Sequence, residues 1–155
     1  MNDKIGLQGR FKLVCHDKDG NLLWDTGFIK NTITNASFAV LSGLAGNTGS
    51  QVAFTYLALG TSTTAPAASQ TALGGEITTD GLERASATIS RVTTTQTNDT
   101  LQLDYTWTAS GSQTVEEVGV FNDASAGTML CRGLTTTKSL SSGNILGVVY
   151  QIKFS

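Results

Sequence analysis

The sequence holds one histidine, one proline and two cysteines, and its charged residues reach only 14%, about half the usual share. Each shortage removes a class of protein. With His16 alone and no clustering of the carboxylates, the residues that transfer protons, attack substrates or ligate metals are nearly missing. No catalytic, cofactor-binding or metal site is expected, and the chain reads as a non-enzyme. Two cysteines do not make the disulfide framework of a small secreted domain. Cys15 and Cys131 sit among apolar, β-prone neighbours and are expected as small buried side chains, with their pairing left open. No apolar run nears the 18 or so residues of a membrane span. The first residues, Met1 to Gly6, have no apolar run behind Lys4, so no signal peptide is expected and the setting is cytoplasm-like. A net charge of −2 and a pI near 5.2 argue against direct contact with nucleic acid or anionic membrane through a basic field.

What is abundant is glycine, at 17 residues, and Ser plus Thr, at about a quarter of the 155 residues. Such a surface is dominated by hydroxyls and amides. Hydrophobic residues at 39% suffice for a core if the strands alternate, and a chain of this length buries roughly 68–70% of its unfolded surface without metal or disulfide. One domain over 9–155 is expected, preceded by a flexible arm at 1–8.

The alternation is easy to follow. In Arg10 to His16, Phe11, Leu13 and Cys15 share a face, and an Asp-Gly turn at Asp17 to Asn21 leads to a second strand from Leu22 to Phe28. Phe38, Leu41 and Leu44 at three-residue steps predict a short helix near residues 35–45, with Thr34, Asn35 and Ser37 as candidate caps. Ala53 to Gly60 reads as a buried strand. Thr61 to Gly75, which contains Pro66, is the longest irregular stretch and offers little to anchor itself to a core. Strands are predicted at Arg84 to Thr95 and Thr100 to Thr108, the latter with Leu101, Leu103, Tyr105 and Trp107 on one face. Val115 to Phe121, Thr128 to Leu134 and a last strand through Leu146, Val148, Tyr150, Ile152 and Phe154 complete the pattern. About eight strands and one helix predict an all-β antiparallel β-sandwich, with a closed barrel as the structural alternative.

The chemistry-bearing residues have bland explanations. His16 beside Asp17 and Asp19 is a strand end before a polar turn, and the turn lacks the terminal Glu of a calcium loop. Glu116 and Glu117 point to opposite faces of a strand, so they cannot form a dyad. One of them is expected to meet Arg84, Arg91 or Arg132 across the sandwich. Gly74-Gly75-Glu76 is not a phosphate loop, because no Gly-Lys-Ser/Thr follows. Among the aromatics, Tyr105 and Trp107 are core candidates, whereas Trp24 on a hairpin edge is the better exposed contact. Stacking on nucleic acid has no basic groove to support it.

Lys30 to Ala36, Phe54-Thr55-Tyr56-Leu57-Ala58-Leu59-Gly60-Thr61, Thr71 to Ile77, Glu117-Val118-Gly119-Val120-Phe121-Asn122 and Gly127 to Arg132 follow in an order that resembles small virion structural proteins of tailed bacteriophages, including capsid decoration and tail-collar-like domains. The resemblance covers roughly Gly9 to Phe154. It implies a β-rich virion component, assembled in the host cytoplasm, whose partners are the major capsid protein or other virion subunits. The absence of a heptad run or fibrous repeat favours a capsid decoration, or cement, protein that acts as a homo-oligomer. The alternative is a tail fibre, collar or tail-tip protein that binds a host receptor or surface glycan, with Trp24 or Tyr56 stacking on it. Candidate partner contacts are Met1, Ile5 and Leu7 in the arm, Trp24, and Thr63, Pro66 and Gln70 in the long loop. Arm and loop are expected to become ordered against a neighbouring subunit.

Overall fold

The computed structural model describes residues 6–155. Eleven strands and one helix are found among them: β1 (Leu7–His16), β2 (Leu22–Asp25), β3 (Ile29–Lys30), β4 (Thr32–Ile33), α1 (Ser37–Gly46), β5 (Tyr56–Gly60), β6 (Ala85–Ser86), β7 (Thr88–Val92), β8 (Thr100–Thr108), β9 (Gln113–Phe121), β10 (Met129–Leu140) and β11 (Ile145–Phe154). They form two antiparallel sheets, one ordered β2-β1-β11-β8-β7 with β3 also on β1, the other ordered β4-β10-β9-β5-β6. The molecule is the expected β-sandwich. None of the helices described is long and apolar enough to cross a membrane.

The alternating residues do what their period requires. Phe11, Leu13, Cys15, Leu103, Trp107, Leu146, Val148, Tyr150 and Ile152 from the first sheet meet Leu57, Leu59, Val118, Val120, Leu130 and Cys131 from the second in one buried cluster. Side chains of residues i and i+2 fall on one side of a strand, so each sheet lends the cluster one face. The Phe11 and Tyr150 rings stack at 5.4 Å, and a Cβ at Gly133 would overlap the Phe11 ring, so Gly133 is what lets that ring lie against β10.

The strand count exceeds the expected eight because two segments change sheets. Ile29 and Lys30 pair with β1, whereas Thr32 and Ile33 pair with β10. Asn31 is therefore a corner between the sheets. The stretch expected as one strand from Arg84 to Thr95 likewise divides at Ala87, with β6 on β5 and β7 on β8. Two-residue strands carry no readable period, and a bend between sheets erases it.

Two further expectations change. Helix α1 begins after Ala36, with no side-chain cap; Ser37 Oγ instead donates to Thr34 O, and Thr34 Oγ1 to Met129 O. Its buried side is Ser37, Val40 and Gly43, so Phe38 and Leu44 are exposed rather than inward. The following loop folds back on that side: a Cβ at Gly43 would stand 2.9 Å from Thr48 O. Of the arm expected at 1–8, Leu7 and Gln8 belong to β1, opposite Phe154 and Lys153, and Met1 to Ile5 lie outside the described residues.

Candidate functional site

Two fully buried charged side chains, Glu117 and Arg132, form a cluster on the outer face of the second sheet. Glu117 on β9 and Arg132 on β10 share that face, diagonal to one another, since Arg132 is opposite Gly119 and Glu117 is opposite Leu134. Both are buried, and Arg132 Nε lies 2.5 Å from Glu117 Oε2. The carboxylate also accepts the backbone N–H of Ser62 at 3.2 Å, of Gly74 at 3.1 Å and of Gly75 at 2.8 Å. Arg132 Nη1 donates to Gln70 Oε1 at 3.0 Å.

A charge taken out of water needs several such partners, and here the partners come from both ends of the Thr61 to Gly75 loop. Leu73 adds an apolar contact, packing with Ala58, Phe121 and Met129 in a second, smaller core. Space for this is left by missing side chains: a Cβ at Gly60 would stand 2.6 Å from Glu117 Cγ, and one at Gly119 would stand 2.8 Å from Leu73 Cδ2. The loop expected to wait for a neighbour is thus fastened to its own sheet. Of the three arginines considered, Arg132 meets Glu117, whereas Arg84 pairs with Glu76 at 2.6 Å. Arg84 also stacks 3.7 Å from the centre of the Phe121 ring and donates to the carbonyls of Asp123 and Ala126, which holds the β9–β10 hairpin.

The other polar candidates are structural. Asp17 Oδ1 accepts the N–H groups of Asp19 and Asn21, its Oδ2 accepts the Asn21 amide, and Gly20 takes φ 86°, so the turn consumes its own carboxylate. No group of three or more His, Cys, Asp or Glu capable of holding a metal occurs among the described residues. Cys15 and Cys131 are both buried and free. Burial pushes the Cys131 thiol up to about 12 and raises the Tyr150 phenol well above its ordinary value, so both stay neutral beside Asn31.

The proposed contact residues divide. Met1 and Ile5 lie outside the described residues; Leu7 is half-buried and packs on the main core. Trp24 stands on β2, the edge of its sheet as expected, but its ring is half-buried and Lys138 Nζ lies 5.3 Å from its centre. Tyr56 packs against the Leu73 cluster. Thr63 is exposed, Pro66 is half-buried, and Gln70 is turned to Arg132. Sequence reasoning missed that Phe28, Phe38 and Phe154 are exposed. Phe28 follows Gly27 at φ 63°, a turn that interrupts the alternation which would have placed it inside.

A surface groove of about 940 Å³ opens beside the Asn31 corner, lined by residues of β1, the β3–β4 bend, the β7–β8 connection and β11. No carboxylate belongs to its lining among the described residues. The geometry thus offers a two-sheet body, a fastened loop, exposed apolar side chains and a groove lined in part by basic and hydroxyl side chains.

The family model described as "Podophage GP4 fiber I protein gp80" matches residues 31–152. The match runs from the Asn31 corner through nearly all of β11, and the chain belongs to that family. No curated protein and no solved structure matches it significantly. It is a β-rich structural component of a phage virion, as the resemblance implied.

Proposed function

We propose that the chain is a subunit of a virion fibre, a rigid contact module rather than an enzyme. The observation that carries this reading is the match of residues 31–152 to a podophage fibre protein family. The role in capsid decoration expected from the missing shaft sequence is the alternative, and the fibre named in the family's description supports the fibre reading. A β-sandwich with no heptads supplies a globular section of a fibre rather than a coiled stalk.

The mechanism is burial of surface between subunits, without chemistry. Apolar area removed from water contributes about 25 cal/mol per Å², and repeated contacts along one assembly compound modest affinities. Leu22, Leu23, Phe28, Phe38, Val52 and Ile89 are exposed and available to other virion subunits or to further copies of the chain. The Glu117–Arg132 pair keeps the long loop in one shape, so little ordering entropy opposes contact there. Particles produced without this protein should assemble full heads and lack one set of fibres in electron micrographs. Normal fibres on heads of reduced stability would instead favour decoration.

A further inference from the structure

We propose that the groove at the Asn31 corner binds an acidic saccharide, a short chain of sugars bearing carboxylates. This inference rests on the groove's own chemistry and not on where the protein sits in the particle.

The protein is acidic overall, yet three of its ten basic residues, Arg10, Lys30 and Lys153, converge on this groove. Lys30 is exposed and has no salt-bridge partner among the described residues. Arg10 donates to Gln151 at 2.8 Å, and Lys153 to the Thr95 hydroxyl at 2.6 Å; neither meets a carboxylate there. Arg10 also lies 4.2 Å from the centre of the Phe28 ring, and none of the three has a salt-bridge partner among the described residues. Cations with neutral neighbours attract a carboxylate more strongly than cations already paired.

The rest of the lining suits sugar hydroxyls. Thr93, Thr94 and Thr95 form one wall, and Gln8, Asn31 and Gln151 contribute amides. Asn31 Oδ1 is buried without a hydrogen-bond partner among the described residues, while its amide nitrogen donates to Tyr150 Oη. The threonine wall is fixed, because the Asp99 carboxylate accepts the N–H groups of Thr94, Thr95 and Gln96 and the hydroxyl of Thr100. Asp99 holds the wall from behind and is not among the described lining residues.

The volume, about 940 Å³, falls within the roughly 300–1,000 Å³ of small-ligand sites. No aromatic ring lines it among the described residues. That disfavours nucleobases, which bind single-strand grooves by stacking, and neutral sugars with only an apolar face to offer. Carboxylate, hydroxyl and ring oxygens are the groups that ammonium, amide and threonine side chains match.

The test uses the full chain with short oligomers of galacturonate, glucuronate-containing disaccharides and N-acetylneuraminate, followed by amide chemical-shift mapping. Maltotriose, inorganic phosphate and oligo-dT serve as comparison ligands. At least one acidic sugar should shift the amides of Lys30, Asn31 and Thr93 to Thr95. Its affinity should fall at least tenfold in Lys30→Gln/Lys153→Gln and with added salt. Both lysines lie at the surface, and an unchanged melting temperature would show that the double variant folds. No shift with any acidic sugar at 10 mM, shifts away from the groove, or equal binding of maltotriose, phosphate or oligo-dT would overturn the proposal.

Discussion

Arg132 Nε and Glu117 Oε2 meet at 2.5 Å with 1% and 0% of the two side chains exposed, on the face of the sheet that the long loop covers. The pair does not join the two sheets. It joins one sheet to a loop through the N–H groups of Ser62, Gly74 and Gly75 and the amide of Gln70.

Replacing one member should therefore cost more than the pair contributes. Glu117→Gln leaves a buried guanidinium without a counter-charge, and loss of one partner of a buried pair costs about 3–5 kcal/mol. Urea titration should show that loss, and limited proteolysis should cut within residues 61–75. Glu117→Gln/Arg132→Met should lose clearly less than the two single changes added together. Strict additivity would mean that the two side chains act separately.

Gly60 faces Glu117 across the β5–β9 pair, where a Cβ would overlap the carboxylate. Gly60→Ala is expected to destabilise by about 1–3 kcal/mol, the range for overpacking a filled interior. Gly20→Ala meets no atom within 4 Å but sits at φ 86°. It should cost less, through backbone strain alone. Thermal melts of the two variants measure the difference.

The thiols should be silent in the folded protein. Burial pushes Cys131 up to about 12 and raises Cys15 as well, so neither forms thiolate at neutral pH. A thiol reagent at pH 8 should react with neither until denaturant is added, and then with both. Rapid labelling of Cys131 in buffer would contradict its placement against Tyr150.

Acid sensitivity should trace in part to Asp99. Burial raises its carboxyl, but the N–H groups of Gln96, Thr94 and Thr95 and the Thr100 hydroxyl outweigh that and hold it well below the usual range. A carboxyl depressed in the folded state stabilises it above the unfolded value, about 3.9, and that contribution fades as pH falls towards the folded value. Asp99→Asn should thus be less stable than the parent at pH 7, with the gap narrowing below about pH 4. A gap constant down to pH 2 would remove the charged hydrogen bonds from the explanation.

The sandwich was legible where strands are long and one-sided, as in β8, whose Leu101, Leu103, Tyr105 and Trp107 alternate without interruption. It was illegible at Asn31 and Ala87, because a strand that changes sheets after two residues has no period to read. The outer-face cluster left a partial trace. Gly74-Gly75 does present N–H groups to an anion, but that anion is Glu117, 42 or more residues away in sequence. The helix was predicted in place, but its periodic Phe38 and Leu44 are exposed, and Gly43, which reads as a weak helix former, is a point of close contact.

Electron cryomicroscopy of purified particles carrying a small tag on this protein tests its assignment to a fibre most directly. Extra density should appear along the fibres in repeated copies, with none on the capsid faces. Tag density on the capsid lattice, with unlabelled fibres, would contradict it.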